Sequence, residues 1–578
     1  MKKFFIRIYD FCLNIYCLFC ATLFFTNYSF LFKLFNLPSK EISNIATQLP
    51  TLAILFLIRW FMGKESFPRI KVISLVNKAG SFEDKKILLC VFFVFSVVFV
   101  SIGILRYLSF CSSGWDFGGL VQAVWNTTKG DILFSSVDGN INRLGTHFEP
   151  ILFLLTPFYM LWPNPLFFVI IQSLVLAVAI FPLYLIAKHR LNSRILIFAF
   201  VFAYVLSRAV RGIGLLDFHT DSFLVPLSFF TFYSLVTKRN LFMALGILLM
   251  LMCKENASFV VIAFGLFAAL TLRRYKLGFF LLLLGISSWI IETNFIMPYF
   301  ARTEKYPYLC WLPFGGTYQE NIRAVLKNPL LLMNLVFGNN KLEFYFKLFG
   351  PLGFLSFLSP AHYVLFLIPL TTQVVGSVWH PGMQTISSHY PAHTIPFIFI
   401  AAIYGVGYLA ELVSRRLYRD KDKKEHIYTV MSIYIIFFSL AFYGKTDGHK
   451  LAKFITSVRA VRTPDIIRGL EMIPKDASVT AVNTLVTPLA HRKYIYLWEG
   501  PDNFKHISEY VVLHKDMLKS SENIDFILED FKNRGYTVFF QDRSGKLYIL
   551  FNPNADKSIL EKQPKKFFPL EHQDRQDD

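Results

Sequence analysis

Residues 87 to 106, ILLCVFFVFSVVFVSIGILR, run without a charged side chain until Arg106. A helix of about 20 such residues matches the hydrocarbon core of a bilayer, and few other environments accept one. The pattern recurs at about 9–35, 47–63, 194–210, 218–237, 241–252, 257–272, 277–298, 351–376, 389–413 and 427–443, with a longer run through 147–190. The sequence therefore predicts a polytopic α-helical membrane protein of about 11 to 13 spans. Pro163 and Pro165 predict a short entry helix followed by a full span, and Pro360 predicts two short helices within 351–376.

The net charge of +20 would suggest a nucleic-acid partner if it lay on one soluble surface. Residues 444–578 hold 21 Lys and Arg against 19 Asp and Glu, a net of +2, so about +18 belongs to the membrane part. Its basic residues fall in short loops: 64–86, Lys188 to Arg190, TKRN, RRYK and the run from Arg415 to Lys424. That distribution follows the positive-inside rule and argues against nucleic acid. With these loops cytoplasmic, residues 107–146 and the chain after 444 emerge extracytoplasmically, in an inner or plasma membrane. The N-terminus reads as an uncleaved first span, since its apolar run is too long for a signal peptide and lacks a small-residue cleavage site.

Four units follow. Residues 1–84 form an N-terminal membrane extension with a cytoplasmic loop, and 85–443 form a transmembrane domain with outer loops 107–146 and 300–350. Residues 444–560 form a small extracytoplasmic α/β domain, and 561–578 a flexible terminus. In the third unit ASVTAVN, KYIYLW, YVVLH and YTVFF read as strands, and IDFILEDFKNRG as a helix ending at Gly535 in a βαβ-like order.

Ionisable groups at membrane depth are costly unless paired, hydrated or turned to a cavity. Four clusters stand out: Asp116 with Gln122; Arg143, His147 and Glu149; Arg208, Arg211, Asp217, His219 and Asp221; and Lys254 with Glu255. The topology puts all four on one side of the membrane, where they could line one cavity. Plainer roles stand beside this reading: Arg208 and Arg211 snorkel, Glu149 caps a helix, and Lys254 and Glu255 pair with other helices. His380, His389, Tyr390 and His393 occupy a Pro- and Gly-rich outer loop able to meet a phosphate or a hydroxyl. His147, Glu149, Asp217 and His219 are donors a divalent metal accepts, but HxE and DxH spacings fix no site. The seven cysteines show no CxxC pair, and nothing in their spacing pairs Cys111 with Cys310.

WDFGGLVQAVWNTTKGDILFSS, GTHFEPILFLLTPFY, GLLDFHTDSFLVPL, CKENASF, SSHYPAHTIPFIF and IPKDASVTAVNTLVTPLAHRKYIYLW, in this order, resemble a widespread prokaryotic family of predicted membrane proteins classed as a domain of unknown function. Over about residues 85 to 550, that family is similar in architecture to the GT-C superfamily of polyprenyl-phosphate-sugar-dependent glycosyltransferases. The resemblance implies a GT-C-like fold and a polyprenyl-phosphate sugar donor. The acceptor would be an unknown glycan, lipid or protein, and membrane lipids would surround the chain. It also implies that Asp116, the acid in the first large outer loop, is the catalytic base, with Asp217 and His219 as further candidate catalytic residues. Arg143, His147, Glu149, Arg208, Arg211, Lys254, Glu255, His389 and Tyr390 are the candidate substrate-binding residues, and Arg208, Arg211 or Lys254 would neutralise the leaving phosphate. Two departures mark this chain: two apolar segments precede the matching span, and Phe117 follows Asp116 where many relatives carry a second acid. The alternative is a transporter or flippase of a lipid-linked or anionic solute, because broken helices near Pro163 and Pro360 could line a path. The one-sided charges and the lack of a visible inverted repeat favour sugar transfer.

Overall fold

The computed structural model describes residues 81–338, 341–378, 380–417, 422–443, 464–500, 508–518 and 522–555. The expected spans at 9–35 and 47–63, most of the 64–86 loop, and the 561–578 terminus lie outside the described residues.

Among the described residues, four helices are long and apolar enough to cross a bilayer: Glu83–Leu108, Leu166–Arg190, Tyr275–Ala301 and Ile395–Leu412. A fifth is the pair Arg194–Leu206 and Arg208–Leu215, bent by 43°. Shorter apolar helices, including Thr220–Val236, Asn240–Leu251, Ala257–Leu270 and Ile427–Tyr443, complete a multi-pass bundle. Hydropathy reads all these segments alike, yet packing divides them. Phe200, Phe229, Phe232 and Phe264 are fully buried in the bundle, whereas Phe93, Phe279 and Phe280 are exposed where lipid would lie. Helices Ala257–Leu270 and Tyr275–Ile291 approach so closely that a Cβ at Gly265 would lie 2.8 Å from the Leu282 amide nitrogen. Small residues permit such contact where burying apolar surface gains nothing over lipid.

The chain between 161 and 166 breaks as its prolines predict, with the helix Ile151–Leu161 preceding the long span. Around Pro360 the expectation of two short helices is corrected. Residues 350–362 make three 3₁₀ turns, followed by one helix, Tyr363–Gly376. Gly353 and Phe354 both sit at φ +59, and two successive left-handed residues end any α-helix there.

A two-residue ribbon, β1 (Phe134–Ser135) and β2 (Ile141–Asn142), lies in the loop after the first described span. The C-terminal residues form a five-stranded mixed sheet of β3 (Val479–Ala481), β4 (Ile495–Leu497), β5 (Tyr510–His514), β6 (Thr537–Gln541) and β7 (Leu547–Phe551), in the order β4-β3-β5-β7-β6. β3 runs parallel to β4 and β5, while β7 is antiparallel to β5 and β6. The helix Ile524–Asn533 ends before Gly535 at φ +87, as expected. The βαβ expectation is corrected in one respect: β5 and β6 are not neighbours, because β7 inserts between them. Its Leu547, Ile549 and Leu550 are buried, whereas Val538 and Phe539 of β6 remain exposed at the sheet edge, so the more apolar strand takes the inner place.

Candidate active site on one face of the bundle

The segment carrying Asp116 is a five-residue π-helical turn, Gly114–Gly118, gripped from two sides. From the C-terminal domain, Asn483 Oδ1 accepts hydrogen bonds from the Gly114 and Trp115 amides at 2.8 and 3.3 Å. Thr487 Oγ1 donates to the Ser113 carbonyl at 3.1 Å. A Cβ at Gly114 would sit 2.5 Å from both the Asn483 carbonyl oxygen and Val486 Cβ, so only glycine lets the helix Asn483–Leu489 lie against the turn. From the membrane domain, Asp217 Oδ2 accepts from the Ser113 amide at 2.7 Å and pairs with Arg106 at 3.2 Å. The Arg106 guanidinium also donates to the carbonyls of Leu215 and Cys111. Gln122, read with Asp116 from the sequence, is buried and bonds Ser136 and the carbonyls of Arg492 and Lys493. It joins the two domains and takes no part in the ionic network described next.

Behind this turn lies a buried ionic network. Arg143 bridges Asp138 at 3.1 Å and Glu149 at 3.0 Å, and Glu149 accepts a second bond from Thr220 Oγ1 at 2.8 Å. Glu255 lies 3.1 Å from His147 Nδ1 and accepts from the Phe148 amide, while the His147 ring stacks on Tyr308. Next to Glu255, the Lys254 ammonium donates to Asp221 Oδ2 at 3.0 Å. Asp221 Oδ1 lies 3.2 Å from His393 Nε2 without the alignment of a hydrogen bond, and Oδ2 lies 4.0 Å from His389 Nε2. His389 stacks face to face on His219, with centroids 3.8 Å apart, and the Tyr390 ring lies 4.0 Å from it. His219 Nδ1 lies 2.8 Å from the Asp217 carbonyl, which makes Nδ1 the protonated nitrogen of the neutral ring, while Nε2 is buried without a hydrogen bond. The network thus returns to Asp217 and the Asp116 turn.

Burial and the paired charges together shift these groups. Burial pushes His389 and His393 below the usual imidazole range, with Lys254 adding to the effect and Asp221 opposing it. For Lys254 burial also opposes the charge, but Asp221, Glu255 and Glu149 outweigh it and raise the pKa. Burial raises Asp217 despite Arg106 and the Ser113 amide. The Asp116 side chain is exposed and, among the described residues, makes no hydrogen bond or ion pair. Its charge nevertheless acts on Arg143, Asp217 and Tyr390, which places it over this network.

The structure therefore brings together ten of the twelve candidate residues: Asp116, Arg143, His147, Glu149, Asp217, His219, Lys254, Glu255, His389 and Tyr390. Arg208 and Arg211 stand apart, on the helix Arg208–Leu215 that leads into Asp217. Arg208 lies 3.3 Å from Ser387 Oγ beside a polar cavity of about 200 Å³ that Lys347 and Gln384 also line. Arg211 lies over the Tyr443 ring at 4.0 Å, at one end of an apolar groove of about 950 Å³ between the first described span, Arg194–Leu206 and Asp422–Tyr443. For Lys254 the structure shows the plainer of its two expected roles, pairing with another segment, since Asp221 holds its ammonium. Asp138 and Glu149 hold Arg143 in the same way, and buried charges persist only when so paired. Asp138, Asp221, His393, Arg106 and Asn483 belong to the site without having been among the candidate residues. Asp221 and His393 were visible as neighbours of candidates, but Asn483 gave no signal. For a metal, no three His, Cys, Asp or Glu side chains converge as ligands among the described residues. His147, Glu149, Asp217 and His219 are each drawn to a separate partner. Cys111 carries a free thiol.

Fold and site together define a multi-pass α-helical membrane protein whose buried ionic network is gathered on one face and covered by a mixed-sheet domain. Every residue of that network lies between Arg106 and His393, and Asn483 reaches the Asp116 turn from the sheet domain. The chain belongs to the family of predicted membrane proteins designated DUF2079, whose profile matches residues 106–542. No curated protein matches its sequence. Similar solved structures include ArnT from Cupriavidus metallidurans bound to undecaprenyl phosphate, at 11% identity and a TM-score of 0.42, covering 79% of this chain and 98% of that one. The archaeal oligosaccharyltransferase AglB from Archaeoglobus fulgidus, in complex with an inhibitory peptide and a dolichol-phosphate, is similar at 12% identity and a TM-score of 0.36, covering 83% of this chain and 75% of that one.

Proposed function

We propose that this protein transfers a sugar from a polyprenyl-phosphate donor to an extracytoplasmic acceptor, with Asp116 as general base. One observation carries the reading. Asp138, Glu149, Asp217, Asp221 and Glu255 are each committed to a cation or an imidazole, and among the described residues Asp116 alone of these carboxylates is exposed and unpartnered. A carboxylate in that state can take the proton of an acceptor hydroxyl as its oxygen attacks the anomeric carbon. The bond from that carbon to the phosphate oxygen breaks, and the phosphate leaves with the electron pair. Arg211, at the end of the apolar groove, is suited to meet the donor phosphate as the polyprenyl tail enters that groove, and the helix Arg208–Leu215 leads from there to Asp217 and the Asp116 turn. The basic loops favour an extracytoplasmic site in an inner or plasma membrane, with the C-terminal domain on the same side.

Asp116→Asn keeps the volume of the side chain and removes the proton acceptor. With polyprenyl-phosphate-linked sugar in proteoliposomes, turnover should fall by about 10²- to 10⁴-fold while donor binding persists. Unchanged transfer by the folded variant would remove Asp116 as the base. Movement of intact donor across the bilayer, with its sugar–phosphate bond uncleaved, would instead favour the transporter reading.

A further inference from the structure

The loop that leaves the span Tyr275–Ala301 ends in two helices, Tyr318–Lys327 and Leu330–Phe337, that the bundle does not cover. A reciprocal capping box between Thr317 and Glu320 starts the first helix, and none of its side chains is buried. Its residues divide by side. Ile322 and Leu326, four apart, are 60% and 75% exposed, with Tyr318 and Val325 on the same face. Glu320, Arg323 and Lys327 take the opposite face. Across Pro329 the apolar exposure continues through Leu330, Met333 and Phe337, while Leu335 is buried in the bundle core and fixes the second helix to the membrane domain.

An exposed apolar stripe on a helix with a basic polar face is unstable in bulk water and suits the plane of a lipid headgroup layer. Here the bundle already stands in a bilayer, Leu335 ties the second helix to it, and Arg323 and Lys327 complement lipid phosphates. We infer that Tyr318–Phe337 is an interfacial anchor, seated in the outer part of the bilayer with Ile322, Leu326, Leu330, Met333 and Phe337 among the acyl chains and Arg323 and Lys327 at the phosphates. The loop between the span and this anchor carries Tyr308, whose ring stacks on His147. The anchor therefore fixes one wall of the ionic network at the level of the headgroups, and it does so whether or not the network transfers sugar.

The test uses the full chain, with its native cysteines replaced, reconstituted in phosphatidylcholine/phosphatidylglycerol vesicles. Single cysteines at Glu320, Ile322, Arg323, Leu326 and Met333 are challenged with a membrane-impermeant maleimide. Labelling at 322, 326 and 333 should be about tenfold or more slower than at 320, and detergent should abolish the difference. Replacing both Arg323 and Lys327 with Gln should speed labelling at 326 in these vesicles. Equal rates at all positions in vesicles would overturn the inference. Protection that persists in detergent and fades on protein dilution would also overturn it, by assigning the face to a second copy of the chain.

Discussion

Asn483→Ala removes one side-chain oxygen and with it two hydrogen bonds to the turn that carries Asp116. The Gly114 amide is buried and its bond is 2.8 Å, so leaving it unpaired should cost about 1–3 kcal/mol. The Trp115 amide, at 3.3 Å on a partly exposed residue, can turn to water, and its loss should add no more than about 1 kcal/mol. A total near 2 kcal/mol corresponds to about a 30-fold rise in local opening. Hydrogen exchange at Gly114 and Trp115 in nanodisc-embedded protein would report it, with amides in the buried helix Ala257–Leu270 as the unchanged reference. Asn483→Asp retains an acceptor at the same place and should restore protection. If Asp116 is the base, sugar transfer should fall in the Ala variant and recover in the Asp variant, with donor KM unchanged in both. Wild-type exchange at both amides in the Ala variant would refute the view that Asn483 holds this turn.

Lys254→Met leaves Asp221 buried without its cation and should lower stability by about 3–5 kcal/mol, whereas Lys254→Met with Asp221→Asn should recover most of the loss, as read from thermal unfolding in one detergent. Gly114→Ala forces a Cβ into the Asn483 carbonyl and should free the C-terminal domain to limited proteolysis while the bundle stays folded. Burial, aided by Arg492 and Lys475, holds His491 near a pKa of about 4, below its ordinary 6.5, where it meets the Tyr159 hydroxyl at 2.5 Å. The undocked state therefore binds the proton first as pH falls. Docking should be constant above 6.5 and weaken progressively from 6.5 toward 4, and His491→Gln should flatten that slope in hydrogen exchange of 483–497.

Hydropathy was enough to read the bundle, because a lipid environment leaves few alternatives to a helix of apolar residues. Charge parity was enough to put Asp116, His147, Asp217 and Lys254 on one face. The choice of partner was not legible. Lys254 turns to Asp221 and Glu255 to His147, and these two neighbours face different segments because the tight 252–256 turn between helices separates their side chains. Arg208 and Arg211 were grouped with Asp217 by proximity in the chain, but their short helix points them to Ser387 and Tyr443. The two left-handed residues at 353 and 354 carry no signal in Phe354. β7 is more apolar than β6, which suits its inner place, but nothing in LYILF signals that it inserts between β5 and β6. Asn483 could not be found from the sequence, since ASVTAVN reads as a strand with Asn483 at its end.

The Gly114 amide and the Asn483 oxygen that receives it stand 369 positions apart. A ribosome adding about 5–20 residues per second takes roughly 20–70 s between them. During that interval the bundle can enter the membrane with the Asp116 turn held by Asp217 alone. The turn thus gains its second support only when the sheet domain has been made and has docked, so a product stalled before Asn483 would reside in the bilayer with the turn held from one side.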